Sequence, residues 1–431
     1  MRGWRAGLIL AALGLLLAGA LALGLAWARE AWLAPPPPGL STPVAPPRPD
    51  AATLARGAYL VRIGNCGGCH SPRGGPALAG GVPLDTPFGT LYSSNLTPDP
   101  ETGLGRWRAE DFRAALQLGR SRDGRLLYPG FPYTSYGAMT RADMDAIYLY
   151  LRSLAPVSRP APAHQLSWPA SSQQALALWR LAFFRPADAQ ASARLAREQP
   201  GRYLVQAVGH CAECHGPRNR LGALRDAAGL GGGWVGTQGW WAPSLSDPAE
   251  AGVQDWPLER IAAWLRAGWS EQAVALGPMA DVVADSLQHL SPADALAMAR
   301  HLQALPRVAT PRPAPAPAAA AQLALGRQVY ERHCADCHGA QGEGRRLEGE
   351  PVYPALAGRR DVQQLRPDNL LQVLAKGGYA AATAAHPRPY GMPPLRQQLS
   401  EAELAAVASY VRQAWGHQAS AVAEQQLLRL K

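Results

Sequence analysis

This chain of 431 residues has no cysteine to spare. All six lie in three short motifs, "CGGCH", "CAECH" and "CADCH", so none is left for a structural disulfide. Methionine is nearly as scarce: beyond the initiator there are only Met139, Met144, Met279, Met298 and Met392. No basic stripe exists. The formal charge of +10 comes from scattered arginines, which suits anionic lipid headgroups or an acidic partner and gives no reason to infer nucleic acid. Past the N-terminus no apolar run is long enough to cross a bilayer; the run Ala175 to Phe184 is too short and reads as a packed helix between domains, with a docking surface as the alternative. No constellation of nucleophile, general base or metal catalyst outlines a substrate pocket.

The motifs themselves are Cys66, Cys69, His70; Cys211, Cys214, His215; and Cys334, Cys337, His338. C-x-x-C-H is the attachment signature of c-type haem. Two thiols one helical turn apart can each add across a haem vinyl group, and the next residue offers its imidazole to the iron. Zinc would need a fourth ligand and gives no reason for a histidine there. A thioredoxin-like pair would sit in a βαβ context, which is absent. The expected cofactors are three covalently bound molecules of haem c.

Each motif recurs in a similar block. Upstream come "RGAYLVRIGNC", "PGRYLVQAVGHC" and "GRQVYERHC", each a helical pattern containing a glycine. Downstream, Pro76, Pro243 and Pro354 each open a Pro-x-Leu. Each block closes on a helical pattern that starts at Thr140, Ser291 or Ser400 with an acid three residues on, a capping arrangement. An early helix bearing the cysteines and a late helix crossing it is the plan of a class I cytochrome c. The expected fold is all-α: three tandem domains of this kind, at 51–156, 195–305 and 322–416, after an N-terminal helix at 1–30. An interdomain segment (157–194) and a C-terminal tail (417–431) complete the chain. Proline-rich linkers fill 31–50 and 306–321. At about 3.1 Å per residue the proline tract Pro35 to Pro49 reads as a semi-rigid spacer on the order of 45 Å.

Ala6 to Ala28 is uncharged and long enough to span a membrane. Arg2 and Arg5 precede it, which keeps its start cytoplasmic and exports the rest. A retained anchor is expected, with the haem domains on the periplasmic side of the inner membrane. The competing reading is a signal peptide cleaved after "AWA".

A thioether opposite the histidine raises the reduction potential and suits electron transfer. Met279 in "LGPMAD" and Met392 in "YGMPPL" lie in proline-bracketed loops before the last helix and are the expected sixth ligands of the second and third irons. Met144 and Met298 fall inside the last helices, in register with Leu404 and Val407, as core residues. In the first block the methionine slot holds Phe131. Met139 follows eight residues on, level with Leu290 and Leu399. Met139 is taken as the iron ligand from a shifted loop; the alternative is a hydrophobic staple and an iron without sulfur. Trp107, Trp241 and Tyr128 are candidates for contact with haem edges or propionates, with packing as the plainer role. His386 is placed near the third haem.

The stretches "GNCGGCHSPRGGPALAGGVPLDTPFGTLYSSNLTPDPETGLGRW", "LYPGFPYTSYGAMTRADMDAIYLYL", "GHCAECHGPRNRLGA" and "GPMADVVADSLQHLS" resemble the three-haem cytochrome c subunits of bacterial membrane-associated dehydrogenases. One branch of that family serves quinoprotein or flavoprotein alcohol, sorbitol and gluconate dehydrogenases. The other serves molybdenum hydroxylases with a molybdopterin subunit and a small iron–sulfur subunit. The anchor and "FPYTSY" lean toward the second. The resemblance implies a subunit that takes electrons from a dehydrogenase catalytic partner and passes them to ubiquinone or another respiratory acceptor, without touching the organic substrate. It also implies that the carbonyl of Pro76, Pro243 or Pro354 accepts a hydrogen bond from the proximal histidine. Two other readings stay open: a peroxidase-like enzyme with an open site at haem one, and a non-haem module holding metal at its cysteines.

Overall fold

The computed structural model describes residues 2–34, 49–226, 229–347 and 350–430; most of the first proline linker lies outside them. Helices dominate, but the chain is not purely helical. Among the described residues four small antiparallel sheets accompany them: a three-stranded one (Pro83–Thr86, Gly89–Tyr92, Gln165–Leu166) and three two-stranded ones. Their strands are two to four residues long, too short for an alternating pattern to register against the helical one.

The same order of elements occurs three times. A helix enters the motif (Ala51–Ile63; Pro200–Tyr203 continued by Leu204–Val208; Ala320–His333), a helical turn carries the histidine, a hairpin follows, and a late helix closes the block (Arg141–Arg152, Pro292–Gln303, Glu401–Gln413). The glycine in each entering helix explains the crossing. A Cβ at Gly57, Gly201 or Gly326 would run into the backbone carbonyl of Ala146, Ala297 or Ala406. Only glycine lets the two backbones approach this closely. From that glycine to the first cysteine the chain spends nine, ten and eight residues in turn. The longest interval contains a π-helical stretch, Leu204–Val208, which absorbs an extra residue without breaking the helix. The late helices start as their sequences predict. The Thr140, Ser291 and Ser400 hydroxyls accept from the backbone N–H of Asp143, Asp294 and Glu403, a cap of ordinary worth ~1 kcal/mol each.

The described chain divides into two compact units, Met1–Leu60 with Cys69–Ala196, and Val61–Gly68 with Arg197–Lys431. In the first unit the N-terminal helix, Arg2–Leu33, docks by its end on helix Gln173–Phe183. Ala26, Leu126, Leu176 and Ala177 form a small buried cluster there. Beside it Glu30, 1% exposed, pairs with Arg180, 0% exposed, through two bonds of 2.9 and 3.0 Å, and with Arg120 at 3.1 Å. The helix end touches the first block directly; the expected spacer, Pro35 to Pro49, lies almost wholly outside the described residues.

The second unit holds the second and third blocks together with Val61–Gly68 of the first. The Asn369 side chain accepts from the Trp241 N–H at 2.9 Å and donates to its carbonyl at 2.7 Å. The Gln372 amide donates to the carbonyls of Gln238 and Gly239, and the Arg366 guanidinium lies 5.1 and 4.6 Å from the Trp234 and Trp241 ring centres. The second proline linker is laid along this unit rather than free. The N–H groups of Val308, Thr310, Ala316 and Ala318 are bound in turn by Ser246, Asp247, Ser420 and Gln413.

Candidate haem attachment sites

Each motif places its second cysteine and histidine on one helical turn: Cys66–His70, Ala212–His215 and Ala335–His338. No cysteine is in a disulfide. Burial raises the thiols, Cys211 and Cys334 to about 12 and Cys69 also upward. A dithiol built for exchange needs the opposite, a depressed thiol.

The three histidines are oriented alike. His70 Nδ1 lies 2.6 Å from the Ser94 carbonyl, His215 Nδ1 2.7 Å from that of Pro243, and His338 Nδ1 2.8 Å from that of Pro354. A carbonyl can only accept, so Nδ1 carries the proton and Nε2 keeps its lone pair. Burial lowers all three pKa values, with the carbonyl pulling the other way; Arg359 depresses His338 further. The result is three neutral imidazoles, the form that ligates iron. Pro76 is not the first acceptor. Ser94 of "SNL" takes the place that proline holds in "PSL" and "PAL", because the acceptor is a backbone carbonyl that any residue supplies. Around it the backbone repeats closely: Gly80, Gly232 and Gly344 each donate to the motif histidine's own carbonyl at 2.7 Å. All three glycines have positive φ, +70°, +93° and +76°, which L side chains rarely adopt.

The donors fit a haem. Among the described residues no group of three or more His, Cys, Asp and Glu stands together in a way that could hold a bare ion. Two buried donors close to the motif histidines lack partners: Trp241 Nε1, two residues before Pro243, and Arg359 Nη1, beside His338. A buried donor without an acceptor is costly, and haem propionates are acceptors. Of the three aromatic candidates only Trp241 carries such an orphan. The Trp107 carbonyl accepts from the Tyr148 hydroxyl, and the Tyr128 ring packs edge-on to His164. Arg359 and Ser94 left no signal in the sequence. His386 stacks on Trp269 with ring centres 4.9 Å apart.

The methionines separate into two groups. Met279 lies in the first turn of helix Pro278–Asp285 and Met392 pairs with Gly378 in a two-residue strand, where loops were expected; both are half-buried. Met139 is 2% exposed, like Leu290 at 2% and Leu399 at 6%, and packs where a staple would. Met144 and Met298 are buried in the late helices.

Residues 54–155 and 323–415 match the cytochrome c family profile. The chain is 40% identical over 418 residues to a nicotinate dehydrogenase subunit of Pseudomonas putida, covering 95% of this chain but only 33% of that protein. It is 35% identical to the gluconate 2-dehydrogenase cytochrome c subunit of Pantoea cypripedii, covering 86% of this chain and 87% of that one. It is 36% identical to the cytochrome c subunit of the quinone alcohol dehydrogenase of Gluconacetobacter polyoxogenes, covering 86% and 82%.

Proposed function

The chain belongs to the family of cytochrome c subunits of dehydrogenase complexes, and from that premise we propose a three-haem electron carrier, anchored in the inner membrane with its haem domains in the periplasm. It accepts electrons from a dehydrogenase catalytic subunit and delivers them to ubiquinone or another respiratory acceptor. The observation that carries this is the repeated anchoring of His70, His215 and His338 by backbone carbonyls beside paired cysteines. A bound haem c supplies a one-electron ferric–ferrous couple. The cysteine pairs 66/69, 211/214 and 334/337 fasten the ring, and the carbonyls hold each imidazole in one tautomer and direction. Met279 and Met392 are the proposed sixth ligands.

The partner we favour is a molybdenum hydroxylase with molybdopterin and iron–sulfur subunits. The 40% identity to the nicotinate dehydrogenase subunit, against 35–36% for the gluconate and alcohol relatives, supports that branch over the quinoprotein or flavoprotein one. The test is purification from membranes in mild detergent. A molybdenum-containing subunit should co-elute, and its substrate should reduce the haems. Co-elution of a quinoprotein or flavoprotein instead would turn the assignment to the other branch.

The second reading is a haem enzyme open at the first iron, which the burial of Met139 favours. Met139 as ligand has that geometry against it; as a staple it has the geometry for it. Carbon monoxide binding to one reduced haem in three, followed by peroxide turnover, would establish the open site. No binding restores Met139 as ligand.

A further inference from the structure

Outside the N-terminal helix, the exposed large hydrophobic side chains described in the first unit are Trp168, Leu178 and Phe183. All three fall in one stretch of chain. They lie in or beside helix Gln173–Phe183, the element that packs on the end of the apolar N-terminal helix. Elsewhere among its described residues this unit turns its large apolar groups inward, so the stretch is an exception that needs a covering.

The level of contact says what covers it. A helix rises about 1.5 Å per residue, so the roughly 20 residues that cross the hydrocarbon core, counted from Ala6, end near Ala26. Ala26 is where the two helices meet: it is 1% exposed and clusters with Leu176 and Ala177. Four residues on along both helices, Glu30 meets Arg180. The two therefore run side by side across the level at which hydrocarbon gives way to headgroups. Trp27 and Trp32, 39% and 83% exposed, stand at the same level, where tryptophan belts form. Of the charges nearby, Arg29 donates to the Phe184 carbonyl and Arg180 and Arg120 hold Glu30, while Arg185, just past the stretch, is exposed. The exposed side chains within 168–183 are thus all uncharged, Trp168, Leu178 and Phe183 among them.

We infer that the stretch Trp168–Phe183 is a second membrane contact, seated in the headgroup and upper acyl layer of the outer leaflet beside the anchor. With two contacts the first haem block is clamped on the bilayer surface rather than tethered above it. This rests on the anchor reading given above, and a partner protein at this face is the outcome that would replace it. Continuity with the span favours lipid, because any protein covering the stretch would have to sit partly within the bilayer boundary.

The test is photolabelling of the full-length holoprotein in lipid nanodiscs with a phospholipid bearing a diazirine near its glycerol, adducts being mapped by peptide mass. Adducts are expected in the peptide ending at Arg29 and in those containing residues 168–183, at least about fivefold above the exposed Glu101 loop, as burial in the interface demands. Adducts in the first peptide with only background in 168–183 overturn this inference and leave the anchor standing. Absence of adducts before Arg29, or a mature chain beginning there, overturns the anchor and with it this contact. The doubly substituted Leu178→Glu, Phe183→Glu protein changes only exposed positions. It should keep all three haem spectra while losing the 168–183 adducts; persistence of those adducts would count against the inference.

Discussion

The first and third blocks share a plan and differ in how they surround their iron positions. Both cross an entering and a closing helix at a glycine, Gly57 under Ala146 and Gly326 under Ala406. Both bind the histidine's Nδ1 to a backbone carbonyl. In the third, Pro354 supplies that carbonyl, Met392 stays half-buried in its short strand, and Arg359 keeps a spare buried donor. In the first, Ser94 supplies it, Phe131 fills the methionine slot, and Met139 has sunk into the packing. The scaffold on the histidine side is held constant by backbone geometry, whereas the proposed ligand on the opposite side is a single side chain.

The largest effect would come from removing attachment. Cys66→Ala with Cys69→Ala, or Cys334→Ala with Cys337→Ala, should each leave two covalent haems, read by intact mass. An unchanged count would contradict independent blocks. Next, Met392→Ala should abolish one sulfur-to-iron absorption band and lower that haem's potential. Met139→Ala should leave every band in place and instead cost about 2–5 kcal/mol as a core truncation, measured by denaturant titration. Loss of a band on removing Met139 would make the two blocks alike after all.

A smaller loss is expected where the blocks agree. Gly57→Ala and Gly326→Ala should each cost about 1–3 kcal/mol, since the added methyl forces two backbones apart. A cost in one block only would show that the crossings are not equivalent. The second block carries a weaker distinction. Where Tyr150 and Tyr410 lie beside the crossing glycine, it has His301. Burial, then Arg202, lowers the His301 pKa. The unfolded chain thus binds that proton more tightly than the folded one. The stability it contributes is present above about pH 6.5 and fades as pH falls toward the lowered folded value. His301→Tyr should flatten the fall of the thermal midpoint between neutral and mildly acid pH; an identical slope would remove histidine from the explanation. The smallest effect is expected from Ser94→Pro. It keeps the carbonyl that holds His70, so the midpoint potential of the first haem should not move.

Much of this was legible in the residues. The haem motifs, the glycines before them, the capped closing helices and the apolar N-terminal run are local signals, set by covalent spacing and helical periodicity, and the structure follows them. The sheets were not legible, because strands of two to four residues carry no period. Nor was the first histidine's acceptor: Pro76 mimics the Pro-x-Leu of the other blocks, and a carbonyl has no side-chain mark by which to find it.

Pairings between residues far apart in the chain emerge only on folding. Asn369 reads the backbone of Trp241, which merges two blocks into one unit. Glu30 and Arg180 meet across 150 residues and bind the N-terminal helix to the first block. Neither partner of such a pair is unusual by itself. An arginine or a glutamate is ordinarily a solvated surface group, and only the burial of both at one point turns the pair into a fastening. The order of residues in three short motifs is enough to say which atoms can hold haem, because that chemistry is a matter of covalent spacing. Which side chains then approach those positions, and which, like Met139, are taken up by the core, is settled in three dimensions, because burial depends on the whole of the packed surroundings.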